Sequence, residues 1–184
     1  METKALIRKQ ILAARRALSP FECREKSHCI TEHFFELSEC RKAELFFLYA
    51  GYGTEVQTRE LCERLILSGK RVAMPRVASD GRNMDFYEIK CYEELSEGYK
   101  GIPEPVENKT PLQSPDILVM PGVAFDRKRN RIGYGKGFYD CYLSRFPGIR
   151  TVAFAFECQI VPEIPAENHD FRPGLILTET EIIS

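Results

Sequence analysis

Short, almost uninterrupted apolar runs separated by helix-length segments constrain this chain more than any other feature. Residues 44–50 read ELFFLYA. A strand of that composition keeps no polar side for water, so it must be covered on both faces. Residues 116–120 (DILVM) form another buried strand, and residues 71–75 (RVAMP), 151–156 (TVAFAF) and 175–178 (LILT) are further strands. Between the first two in chain order, residues 58–68 place Leu61, Leu65 and Ile66 on one helical face and stop at Gly69. That is a β-α-β unit, normally parallel and right-handed. Strands alternating with helices predict a three-layer α/β/α sandwich around a mostly parallel sheet. With 184 residues, a single domain spanning residues 1–184 is expected.

The remaining elements are read from local signals. Residues 2–18 are rich in Ala, Leu, Lys and Arg, all strong helix formers. Ser19, Pro20 and Glu22 form a cap, a first-turn proline and a capping box, so a second helix is expected over residues 20–37. Residues 84–89 (MDFYEI) alternate like a half-exposed strand. Residues 98–115 are rich in Gly and Pro and are expected to be mostly loop. A helix over residues 137–146 should follow the glycines that precede it.

The chain carries 26 Lys+Arg against 27 Asp+Glu, a formal net charge of −1. No global field favours nucleic acid or a membrane surface, so an anionic ligand must be met by a local cluster. Charges interrupt the apolar stretches at the N-terminus, which is not a signal sequence. Nothing approaches the roughly 20 apolar residues of a membrane span. A cytoplasmic monomer is the expectation. Seven cysteines stand without a C-x-x-C pair and predict reduced, mostly buried thiols, with neither zinc nor thiol chemistry.

Residues 116–140, DILVMPGVAFDRKRNRIGYGKGFYD, carry the chemistry. A buried strand ends at Pro121-Gly122. A basic turn, Arg127-Lys128-Arg129, follows and reads as a solvated surface. Gly133, Gly135 and Gly137 then alternate, which lets backbone approach a ligand and turn N–H groups toward it. The helix starting directly after them offers its N-terminal donors to phosphate. Arg131 and Lys136 add positive charge. Asp140, about one turn into that helix, suits a phosphate-bound magnesium ion. The glycine spacing by itself is neither a Walker A loop nor a dinucleotide fingerprint, and glycine-rich turns after strands also occur without a ligand.

Met120-Pro121-Gly122-Val123-Ala124-Phe125-Asp126, followed by Arg131-Ile132-Gly133-x-Gly135-x-Gly137-Phe138-Tyr139-Asp140, resembles the signature of the 5-formyltetrahydrofolate cyclo-ligase family. Lys4-x-x-x-Arg8, Glu55 with Thr58, Gly101-Ile102-x-Glu104-Pro105, Gln159 and His169-Asp170 resemble further elements of that family in the same order. The resemblance implies ATP- and Mg2+-dependent conversion of 5-formyltetrahydrofolate to 5,10-methenyltetrahydrofolate, with ADP and phosphate released. It implies a fold similar to the sugar-phosphate isomerase and CoA-transferase folds. Residue by residue, it implies that Lys4 and Arg8 contact ATP phosphates, and that Arg131, Ile132, Gly133, Tyr134, Gly135, Lys136, Gly137, Phe138 and Tyr139 wrap them. Within that set Arg131, Lys136 and Tyr139 are the candidate catalytic residues. Tyr134 through Phe138 would also line the folate side, Glu55 would hold the pterin, and Asp140 and Asp170 would hold magnesium. Phe138 stands where many members have Tyr, Cys141 where many bacterial members have Arg, and Tyr134 at a variable position. Taken without the resemblance, Lys4 and Arg8 read as a solvated helix face, and Phe86, Tyr87 and Tyr99 read as core or surface packing residues rather than as rings that stack on a pterin. The competing readings are a sugar-phosphate isomerase-like enzyme and a non-catalytic nucleotide- or folate-binding module.

Overall fold

The computed structural model describes residues 3–106, 110–165, 167 and 170–184. Helix α1 spans Lys4–Arg16, with Thr3 as its cap. Helix α2 spans Pro20–Glu36, and the reciprocal Ser19–Glu22 capping box is formed. A short helix α3, Ser38–Lys42, follows. Then come β1 (Leu45–Phe47), α4 (Arg59–Leu67), β2 (Arg71–Val77) and β3 (Met84–Ile89). The two-residue strand β4 (Ser96–Glu97) precedes the glycine- and proline-rich stretch and pairs with β5 (Pro103–Glu104) inside it. Beyond it lie β6 (Ile117–Met120), β7 (Ala124–Asp126), β8 (Arg131–Ile132) and α5 (Phe138–Arg145). The chain closes with β9 (Thr151–Phe154), β10 (Ile160–Val161), β11 (Leu175–Leu177) and β12 (Ile182–Ile183).

Seven strands form the main sheet in the order β12-β11-β9-β6-β1-β2-β3. The five inner strands run parallel, and β3 and β12 are antiparallel edges. The continuous apolar runs are explained by burial on both sides. Phe46, Leu48, Val119, Val152 and Phe154 pack with Ile30 and Phe34 of α2 and Leu61 and Leu65 of α4. Phe47, Leu118, Met120 and Ala153 pack on the opposite side with Tyr142 and Leu143 of α5. The expected α/β/α sandwich is therefore formed.

A second, three-stranded sheet, β10-β7-β8, was not expected from the sequence. Helix α1 covers it through Ile7 and Ile11, which meet Val123, Ala124, Ile132 and Ile164. Asp126 is wholly buried there and accepts from the N–H groups of Lys128, Asn130 and Ile164 and from the Asn130 amide. It is a scaffold residue. Gln159, also buried, donates to the carbonyls of Gly122 and Val123 at 2.9 and 3.0 Å.

The cysteine expectation needs correction in part. All seven thiols are free, but only Cys40 and Cys62 are buried, whereas Cys29, Cys91 and Cys141 are exposed. They sit on outward helix and loop positions that sequence pattern alone did not separate from inward ones. The turn at residues 127–129 is solvent-facing as expected: Arg127 pairs with Glu181 and Lys128 with Glu163. Among the described residues no helix is long and apolar enough to cross a membrane.

Candidate active site

From β1 the chain moves to β2 on one side; β6 then returns on the other side of β1. Such a reversal opens a crevice at the carboxyl ends of parallel strands, where ligands bind in open α/β sheets. A cleft of about 850 Å3 lies there, walled by residues following β1 and β6, by Pro75 and Val77 at the end of β2, by α1 and by the glycine loop. Lys4, Arg8, Glu55, residues 131–140 and Asp170 all line it. The structure thus brings together every expected site residue.

The 131–140 segment is shaped by its glycines. Gly135 and Gly137 have φ of +92° and +69°, backbone that other residues adopt at a cost. Gly137 is the left-handed cap of α5, so the first N–H groups of that helix are left to a ligand or water. Arg131 is held almost fully buried and donates to both carboxylate oxygens of Asp140 at 3.0 and 2.9 Å. Its buried Nε has no hydrogen-bond partner among the described residues. Lys136 is exposed on the loop.

Helix α1 supplies further cations. Arg8 donates to the Gly133 carbonyl at 3.0 Å, pinning the start of the loop. Lys4 pairs with Asp170 at 2.6 Å and Glu167 at 3.0 Å. Burial lowers the Lys4 pKa, but the two acids outweigh it and the net shift is upward. His169 lies outside the described residues.

The turn after β1 presents Glu55. Gly51 has no room for a side chain, since a Cβ would stand 2.5 Å from the Val56 carbonyl. The Thr58 hydroxyl donates to the Tyr49 carbonyl and accepts from the Gly51 N–H, closing the turn on itself. Glu55 accepts from the Tyr52 N–H at 2.9 Å. Burial raises its pKa, partly offset by hydrogen bonds from Tyr134 and Tyr52 and by the Arg15 charge.

Two aromatic expectations divide. Phe86 is core, stacked on Phe47 with ring centroids 4.4 Å apart. Tyr99, read as a packing residue, instead lines the cleft with its ring edge-on to Phe138 at 6.0 Å.

Residues 1–179 match the 5-formyltetrahydrofolate cyclo-ligase family. The chain belongs to that family. A 5-formyltetrahydrofolate cyclo-ligase from Haemophilus influenzae is 32% identical over 170 residues, which cover 89% of this chain and 91% of that one. One from Mus musculus is 28% identical over 186 residues, covering 94% and 92%. The NMR structure of Aquifex aeolicus 5,10-methenyltetrahydrofolate synthetase is similar with a TM-score of 0.85 at 30% identity, covering 97% of this chain and 91% of that one.

Within this family member, the motif elements fall into two groups. Lys4, Arg8, Glu55, Arg131 and Asp140 face the cleft. Thr58 and Gln159 face inward and hold its backbone. Glu104 does both: it lines the cleft, and its carboxylate accepts from the Val77 N–H at 3.1 Å. Sequence reasoning missed Arg15. This α1 residue is only 2% exposed and reaches both the Glu55 turn and the glycine loop. Beside Arg16 in a helix-forming stretch, it gave no signal of its own.

Proposed function

We propose that this chain closes 5-formyltetrahydrofolate to 5,10-methenyltetrahydrofolate at the expense of ATP, with Mg2+ as the metal. One observation carries the reading: a single cleft holds the α1 cations, the glycine loop ahead of α5, Glu55 and two carboxylates. Family membership supports the ligase chemistry and the folate substrate.

The N5 formyl group is an amide whose oxygen attacks the γ-phosphorus of ATP, and ADP leaves. N10 then attacks the activated carbon. The ring closes as phosphate departs and N10 loses its proton. No protein nucleophile is required, so the enzyme's work is alignment and charge neutralisation. Lys4, Arg8, Arg131 and Lys136 take the triphosphate, with the N–H groups at the start of α5. Arg131 fits this role because its buried Nε keeps an uncommitted donor. Glu55 accepts N–H groups of the pterin. The aromatic rings of Tyr99, Phe138 and Tyr139 give that substrate an apolar wall.

The donor set fits magnesium. Asp140 and Asp170 offer hard carboxylate oxygens beside the phosphate cradle, as this ion prefers. Each is already paired with a cation, Asp140 with Arg131 and Asp170 with Lys4. Metal and triphosphate arriving together would exchange both pairs without leaving a charge uncompensated. Bound there, the ion would neutralise charge on the transferring phosphoryl group.

The test is direct. The protein is incubated with 5-formyltetrahydrofolate, ATP and magnesium while the near-ultraviolet band of the methenyl product is followed. Product formation that needs all three is expected. Equal product without ATP, or nucleotide binding without turnover, would refute the proposal.

A further inference from the structure

Arg15 is a buried cation on the cleft wall whose guanidinium joins three segments far apart in the chain. Its Nε donates to the Thr54 carbonyl at 3.0 Å, and one terminal nitrogen to the Thr54 hydroxyl at 3.2 Å. Thr54 directly precedes Glu55 in the turn after β1. The other terminal nitrogen donates to the Tyr134 hydroxyl at 2.8 Å and stands 3.5 Å from the Gly122 carbonyl. Tyr134 lies between Gly133 and Gly135 of the loop, and Gly122 lies just beyond β6. Arg8, on the same helix, also holds the loop, through the Gly133 carbonyl. Arg15 differs in reaching the Glu55 turn as well. Its partners are neutral, and among the described residues no carboxylate pairs with it. Burying a charge without an anion is unfavourable, so stability alone is a poor reason for an arginine here. What this side chain offers is a rigid fork whose donors meet acceptors on two sides at fixed angles.

We infer that Arg15 is a positioning residue for ring closure. It fixes the spacing between the turn that carries Glu55 and the glycine loop, and with it the spacing between the folate and the triphosphate. It acts through Thr54 and Tyr134 and is not a catalytic residue. This inference rests on the reading of the cleft as the place where folate and ATP meet. Phosphorylation of the formyl oxygen needs two separately bound molecules brought into line. A misplacement of about 1 Å at such a step slows it about a hundredfold. Each substrate still has its own wall of the cleft to bind. Loosening the brace therefore lowers kcat and leaves both KM values nearly unchanged, whereas loss of a binding residue raises the KM of its own substrate.

The test is the rate of methenyl formation at varied ATP and varied 5-formyltetrahydrofolate, with a thermal melt of each variant to confirm folding. Arg15→Met keeps the apolar stem and should lower kcat about a hundredfold, with both KM values within about twofold of wild type. Arg15→Lys keeps the charge but replaces the fork with a single point, so it should not restore kcat. Tyr134→Phe removes one arm of the brace and should lower kcat up to about tenfold, the size of a lost hydrogen bond to a charged group. Added to Arg15→Met, it should have no further effect, because the brace is already gone. An unchanged kcat in folded Arg15→Met, a change confined to one KM, or full rescue by lysine overturns the inference. If Arg15→Met does not fold, Tyr134→Phe decides, since it removes only a hydroxyl from a half-exposed side chain, and an unchanged kcat there overturns the brace. Wild-type protein that forms no ATP-dependent product refutes the proposed function itself, and this inference with it.

Discussion

Replacing Asp140 by Asn separates the role of this carboxylate in the fold from its role in catalysis. Asp140 is about one-third exposed and accepts two hydrogen bonds from Arg131, which is 5% exposed. It also accepts from the Phe171 N–H at 3.3 Å. Removing one partner of a fully buried pair costs about 3–5 kcal/mol, whereas an exposed pair is worth about 1 kcal/mol or less. A one-third-exposed carboxylate lies between these limits, and Asn keeps one acceptor oxygen. The expected cost is therefore about 2 kcal/mol. For a chain of this length that lowers Tm by roughly 4–8 °C and leaves the protein folded at assay temperature. Activity should fall far more, by about a hundredfold or beyond, because charge stabilisation at the transferring phosphoryl group is lost. Differential scanning calorimetry gives the first quantity and the methenyl absorbance at varied magnesium the second. Near-normal turnover with an unchanged magnesium dependence would refute the assignment of Asp140 to the metal. A loss of activity matched by wholesale unfolding would show that the pair with Arg131 is structural.

Lys136 is exposed, so Lys136→Ala should leave Tm unchanged while KM for ATP rises and turnover falls; initial rates at varied ATP check this. Burial, the largest influence, raises the Glu55 pKa above the usual glutamate value, and its binding form is the carboxylate. Folate kcat/KM should therefore fall as pH drops through that raised pKa, starting at higher pH than for an ordinary glutamate, and Glu55→Gln should remove this limb from the pH profile. Burial pushes the Cys40 thiol up to about 11 and Cys62 up to about 12, so both should resist a disulfide reagent in the native protein. Exposed Cys29, Cys91 and Cys141 should react at once, as timed labelling with mass spectrometry would reveal.

Much of the molecule was legible in the chain itself. Ser19, Pro20 and Glu22 announce the start of α2 because a helix cap is a local interaction. The run ELFFLYA announces a doubly covered strand because water tolerates neither of its faces. Residues 131–140 put glycines, cations and a carboxylate within ten positions, and that local cluster lines a single cleft. Other features were not legible. Strands β7, β8 and β10 are two or three residues long, too short for a period, and exist because α1 covers them. Gln159 and Thr58 resemble motif residues but act on backbone, a distinction that depends on which way a side chain turns.

The sequence by itself determined the layer architecture, the sign and placement of the loop charges and the family, since these follow from local pattern and ordered motifs. Only the tertiary structure decided that Arg15 meets Thr54 and Tyr134. The same holds for Lys4 and Asp170, which close on each other across 166 positions. Contacts between distant positions depend on how the sheet twists and how helices seat on it, and no local propensity encodes that geometry.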